Sequence, residues 1–84
     1  MPRFFLHYRD GFGLLKDPTG VPLPNVEAAH AEALRRARDV LGQLSHWSSD
    51  LMDEMVREMA FEITDEAGRI VEIVSFLAAI GPLH

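Results

Sequence analysis

The nine residues from Arg3 to Gly11, RFFLHYRDG, place a histidine, a tyrosine, an arginine and an aspartate at consecutive positions. Each of these side chains can hold or move a proton, so the first question is whether they act together. Consecutive positions on an extended chain point to opposite sides. Phe4, Leu6 and Tyr8 would share one face, and Arg3, Phe5, His7 and Arg9 the other. The stretch therefore reads as a two-faced strand with an apolar side for a core and a mixed side left open.

A second candidate lies in AFEITDEAGRIVEIVSF. A turn over Asp65-Glu66-Ala67-Gly68, with Gly68 left-handed, sets Asp65 against Arg69 and Thr64 against Ile70. Continued without interruption, that register pairs Ile63 with Val71 and Phe61 with Ile73 on an apolar face. On the other face it pairs Glu62 with Glu72 and Ala60 with Val74. Two opposed carboxylates repel, and such a pair can share one proton for acid–base work. The simpler expectation is an ion network, with Arg3, His7 or Arg9 neutralising them across the sheet. No nucleophile, metal motif or glycine-rich loop accompanies the pair.

Three histidines, His7, His30 and His46, could gather a divalent metal. None stands at i, i+4 helical or i, i+2 strand spacing from another, so surface or structural roles are the simpler reading, and neither a metal nor a cofactor is expected. Ser45, Ser48 and Ser49 flank His46, but loop neighbours without an oxyanion-hole motif are turn and cap residues rather than a triad. Arg35, Arg36 and Arg38 form a basic cluster late in a helix, where cations complement the carbonyl end of the dipole. Residues 1–44 carry six Lys/Arg against five Asp/Glu, and residues 45–84 two against eight, giving a net charge of −5. That balance argues against nucleic acid, whose affinity comes largely from cations displacing phosphate counterions.

These groups must be positioned by a small number of elements. Asp10-Gly11 suggests a type I′ hairpin turn that would place Leu15 across from Leu6, with Gly13 as a competing bulged turn. Asp17-Pro18-Thr19-Gly20 reads as a turn, and Pro22 and Pro24 predict an extended, unpaired segment. Asn25 sits where a helix N-cap belongs. From there Val26, His30, Ala33, Ala37, Val40, Leu41 and Leu44 recur at helical spacing. Leu51, Met52, Met55, Val56 and Met59 fit a short second helix capped by Ser49 or Asp50, its methionines filling core, with Trp47 covering the core's edge. After Phe76 the chain has room for one helical turn before Gly81-Pro82 stops it.

Eighty-four residues with 48% hydrophobic content and no cysteine describe one ordinary globular domain without disulfides or thiolate chemistry;. The start is too short in apolar residues for a signal peptide, and IVSFLAAIGPL is about half a membrane span. A cytoplasmic protein is expected, with no membrane contact.

The residues MPRFF.H, RDG, D..G..LP, EAL..ARD.L and FE.TDEAGR follow one another in this chain. In that order they resemble a family of short, uncharacterised alphaproteobacterial proteins known only as a domain of unknown function. The resemblance spans roughly residues 1–76 and implies a small bacterial α+β protein with no established activity and no functional residues to carry across. A looser likeness in layout is to HicB-type antitoxin domains, which implies partner binding by analogy.

The expected fold is α+β: two β-hairpins in one four-stranded antiparallel sheet, ordered β-β-α-(short α)-β-β. The main helix, at about 25–44, crosses one face, and residues 76–84 form a C-terminal tail to a single domain spanning 1–84. The expected function is a non-enzymatic protein-interaction or self-association module, a homodimer or a protein's docking partner. The alternatives are a HicB-like antitoxin or a small acid–base enzyme using Glu62 and Glu72. The expected interaction face is the side away from the helix, with Phe5, His7, Arg9, Glu62, Ile70, Glu72 and Val74.

Overall fold

The computed structural model describes residues 1–43 and 49–80. Along them run β1 (Arg3–Asp10), β2 (Gly13–Leu15), β3 (Val21–Pro22), α1 (Val26–Gln43), α2 (Ser49–Glu58), β4 (Ala60–Thr64), β5 (Ile70–Ser75) and α3 (Phe76–Ile80). The fold is α+β, with antiparallel strands ordered β2-β1-β4-β5 and the short β3 added to β1. After β5 the chain makes the expected helical turn, α3, which opens on the fully buried Phe76. The Phe76 backbone N–H donates to the Met59 carbonyl at 3.0 Å, tying the end of the chain to the start of β4. Gly81 and Pro82 lie outside the described residues, as do Leu44 and Trp47.

One face of the sheet carries the core. Phe4 and Leu6 of β1, Phe61 and Ile63 of β4 and Val74 of β5 pack with Phe76 and Ala79 of α3. Val56 and Met59 close the same cluster, with Met55 partly buried against it. The alternation of Phe4, Leu6 and Tyr8 against Phe5, His7 and Arg9 is thus realised in three dimensions. Tyr8 packs edge-on to Phe61 and Phe76, with ring centroids 6.1 and 5.8 Å apart. Burial and the neighbouring Asp10, by charge and by hydrogen bond, push the Tyr8 phenol up to about 12.

Helix α1 begins as expected, since the Asn25 side-chain oxygen accepts the Ala28 N–H at 2.8 Å;. Most of its expected stripe packs, with Ala33 and Ala37 wholly buried and Val40 and Leu41 against the core, but in the first turns Ala29 is buried instead of Val26, which is exposed, and His30, which is half-buried. Alanines on several sides of this helix leave its apolar periodicity weak. The side that packs is the one whose small residues, four apart, let the backbone approach the sheet.

The first hairpin turns one step later than Asp10-Gly11 predicts. Tyr8 faces Leu15 and Asp10 faces Gly13, so Leu15 stands opposite Tyr8 rather than Leu6 and is 70% exposed. Among the described residues only glycines have positive φ, and Gly11 is not one of them; Gly13, at φ 144°, is. The expected type I′ turn at Asp10-Gly11 is therefore replaced by a turn of another type over Gly11-Phe12, neither residue having positive φ, in which Asp10 Oδ1 accepts the Phe12 N–H at 2.8 Å;. Val21–Pro22 is paired rather than free, lying against Arg3 and Phe4. As the outer strand at that end of β1, it tolerates a proline without an N–H.

The second hairpin turns as expected. Gly68 is left-handed at φ 83° and its N–H reaches the Asp65 carbonyl at 3.0 Å, while the Asp65 N–H reaches that of Arg69, also at 3.0 Å. Thr64 faces Ile70, but a β-bulge follows: Ile63 faces Glu72, Glu62 faces Ile73 and Phe61 faces Val74. Val71 is the extra residue and still packs against the core, but Glu72, Ile73 and Val74 each stand on the face opposite to the expected one;. Val74, expected on the open face, is 2% exposed in the core.

Candidate interaction face

The sheet surface away from the helices is built from alternate residues of four strands: Phe5, His7 and Arg9 of β1, Glu62 and Thr64 of β4, Ile70 and Ile73 of β5, and Leu14 of β2. Its chemistry is set by how its polar groups are already engaged. Arg9 Nη1 lies 2.8 Å from Glu62 Oε2, diagonally across the β1–β4 pair, so the expected neutralisation of Glu62 by β1 is realised through Arg9;. Arg3 serves elsewhere, its guanidinium donating to the Thr19 carbonyl at 3.2 Å.

Glu72 does not face Glu62. The bulge turns it to the helix side, where its Oε1 lies 3.0 Å from Nδ1 of His30. With the two carboxylates on opposite faces of the sheet, they cannot share a proton. His30 is thereby a cross-layer partner of Glu72 rather than the core residue that helical spacing suggested.

His7 occupies the centre of the face. Its Nδ1 accepts the backbone N–H of Asp17 at 2.9 Å, and its Nε2 lies 3.0 Å from Thr64 Oγ1. A backbone N–H can only donate, so Nδ1 carries the lone pair and the ring proton sits on Nε2, pointing at Thr64. That order is the reverse of a nucleophile–base pair, in which the imidazole accepts the hydroxyl proton. Phe5 stacks parallel to the His7 ring at a centroid distance of 6.3 Å.

The loop behind His7 is organised by Asp17. Its Oδ1 accepts from the Thr19 and Gly20 N–H groups at 3.1 and 3.0 Å, and its Oδ2 accepts from the Leu6 N–H at 3.2 Å. Burial opposes ionisation of this carboxyl, but those three donors and the nearby Arg36 outweigh it and hold it below the usual carboxylate range;. Sequence reasoning read Asp17 only as a turn residue, and its long-range bond to Leu6 has no local signature.

A shallow depression of about 400 Å³ opens on this face, floored by Phe5, Leu14, Thr64 and Ile70 and edged by Lys16 and Glu66. Ile70 in its lining and Ile73 on the same face of the sheet are each about half exposed. Of the residues expected on the interaction face, the structure brings together Phe5, His7, Arg9, Glu62 and Ile70 and removes Glu72 and Val74. It adds Ile73, Leu14 and Lys16. Leu14 and Lys16 would have followed from reading the turn at Gly13, but Ile73 is visible only once the bulge is known.

The other candidate groups are dispersed. Among the described residues no cluster of three or more His, Asp or Glu could hold a metal ion. His46, Ser45 and Ser48 lie outside the described residues. The basic cluster is engaged within its own layer: Arg35 and Arg36 bind Glu32 at 2.7 and 2.8 Å, and Arg38 reaches the Ala79 carbonyl. No helix among the described residues is long and apolar enough to cross a membrane.

A family model described as a domain of unknown function, DUF6894, matches residues 3–77. No curated protein and no solved structure matches the chain.

Proposed function

The chain belongs to the DUF6894 family, and we propose that it works as a non-enzymatic interaction module docking through the open face of its sheet. One observation carries this reading: exposed Ile70, Ile73 and Leu14 share a face with His7, engaged by Asp17 and Thr64, and with Glu62, held by Arg9. Apolar groups ringed by charge on a flat surface favour burial against another protein. A reaction centre would instead require a free general base or nucleophile beside a recess. Here the histidine donates to Thr64 Oγ1, and Glu62 is held by Arg9.

Photo-cross-linking in the native cells tests the reading. A benzophenone side chain at position 73 should give a discrete protein adduct, and one at position 77, exposed on α3 across the molecule, should not. A face that yields no adduct at position 73 would rule out docking there.

A further inference from the structure

We infer that the depression on the open face is a binding site for an uncharged group in which a carbonyl oxygen lies between two apolar ends. This goes beyond the docking reading and does not depend on it.

A free donor is the first argument. The Asp17 backbone N–H donates to His7 Nδ1 at 2.9 Å, and the ring proton on Nε2 is directed at Thr64 Oγ1, 3.0 Å away. The hydroxyl accepts from the ring, so its own proton is left to donate, and no other described residue takes it;. Two donors in series polarise that O–H and strengthen it as a donor. Thr64 is only 7% exposed and lines the depression, which is where an acceptor reaches it;.

The neighbours of that hydroxyl are the second argument. Phe5 faces Thr64 from β1 and Ile70 faces it from β5, so the O–H stands in the middle of a row crossing three strands. Two strand spacings of ~4.8 Å set the ends of the row roughly 10 Å apart. A ligand lying along the row covers Phe5 and Ile70 with apolar ends and sets its oxygen over Thr64. The volume of about 400 Å³ stands at the low end of the ~300–1,000 Å³ of small-molecule sites;.

Charge decides against an ionic ligand. Glu62 is held by Arg9, Asp65 Oδ1 accepts the Ala67 and Arg69 N–H groups, and Glu66 Oε1 accepts the Arg3 N–H. Lys16 shares the lining with these carboxylates. An anion drawn to Lys16 also meets Asp65 and Glu66, and a cation drawn to them meets Lys16, so neither sign gains over a neutral group.

Titration of isotope-labelled protein with N-butylbenzamide, followed by NMR, tests the site. The expected result is saturable movement of the Phe5, Thr64 and Ile70 amide resonances with a millimolar Kd. The cationic N-butylbenzylamine and the anionic para-butylbenzoate, similar in length, should bind at least about fivefold more weakly. Thr64→Val, which keeps the branched shape and removes the hydroxyl, should lose about as much, whereas Thr64→Ser, which keeps the hydroxyl, should not. Acetyl-dileucine amide presents a carbonyl between apolar groups from a peptide, and the tighter of the two neutral ligands says whether a free molecule or a protein segment supplies it. A titration in which neither neutral ligand moves the row up to its solubility, or a natively folded Thr64→Val that binds as tightly as the wild type, overturns the proposal. Should Thr64→Val fail to fold, equal binding of N-butylbenzamide and the two charged ligands overturns it instead.

Discussion

His7 and Asp17 clamp the loop after β2 onto the sheet: His7 Nδ1 accepts the Asp17 backbone N–H at 2.9 Å, and Asp17 Oδ2 accepts the N–H of Leu6 at 3.2 Å. The side chain of Asp17 therefore organises both its own turn and the strand behind the docking face. Its carboxyl is held below the usual range, so the ionised form is the one the fold prefers. That contribution is complete above the ordinary carboxylate value of 3.8 and is lost as pH falls through the lower folded value;. Asp17→Ala, which strands three N–H donors, should cost roughly 1–3 kcal/mol in urea unfolding at neutral pH. The deficit should shrink on acidification below the ordinary value, and a deficit that stays constant down to strongly acidic pH would contradict the assignment.

Two left-handed glycines separate strain from collision. Gly20, at φ 74°, would place a Cβ 2.9 Å from the Phe4 carbonyl oxygen and 2.8 Å from the Phe5 ring. Gly68, at φ 83°, has nothing within 4 Å of that position. Both alanine substitutions carry the left-handed penalty of ~1–2 kcal/mol, but only Gly20→Ala must also move backbone. Chemical denaturation should show Gly20→Ala costing the more by at least ~1 kcal/mol, and equal costs would mean that the β1–loop contact is not as tight as described.

Glu32 is the hub of the charged face of α1. Its hydrogen bond to Arg35, aided by Arg36 and opposed by burial, lowers its carboxyl to about 2. A depressed folded value stabilises above the unfolded value, near 4.5, and the gain disappears as pH falls toward 2;. Because Arg35 is largely exposed and screened by water, the i,i+3 and i,i+4 contacts contribute only modestly. Glu32→Gln should lower the melting temperature at pH 7 by a few degrees. The difference should narrow as the pH falls from 4.5 through about 2;.

Much of this fold is written locally. The Asn25 cap, the Asp65–Gly68 turn and the alternation of β1 each follow from a few adjacent side chains, and each appears as expected. What was illegible depends on groups distant in sequence. Nothing in Ile70-Val71-Glu72-Ile73-Val74 marks Val71 as the bulged residue, since β-branched side chains surround it; the choice is made by Val74 and Phe76 filling the core against Phe61. The pairing of Pro22 depends on β1 offering an edge, and the phase of α1 depends on which alanines meet the sheet. The candidate face inherited both outcomes, keeping the residues fixed by β1 and β4 and losing those that depend on the bulge.

The bulge makes a sharp prediction at neighbouring positions. Uninterrupted pairing from the Asp65–Gly68 turn would put Val74 on the open face and Ile73 in the core, whereas the observed register does the reverse, with Val74 2% exposed and Ile73 51% exposed. An aspartate replacing Val74 would bring an unpaired carboxylate among Phe61, Phe76 and Ile63, and burying such a group without a partner costs several kcal/mol. For a domain of this size that is most or all of its stability. Replacing Ile73 with aspartate removes apolar contact from a surface position and leaves the new charge in water, worth within about 1 kcal/mol to the isolated subunit. Circular dichroism and urea unfolding of the two variants at low concentration decide between the registers. Val74→Asp should be unfolded or nearly so and Ile73→Asp native-like, and the opposite pattern would place the bulge elsewhere.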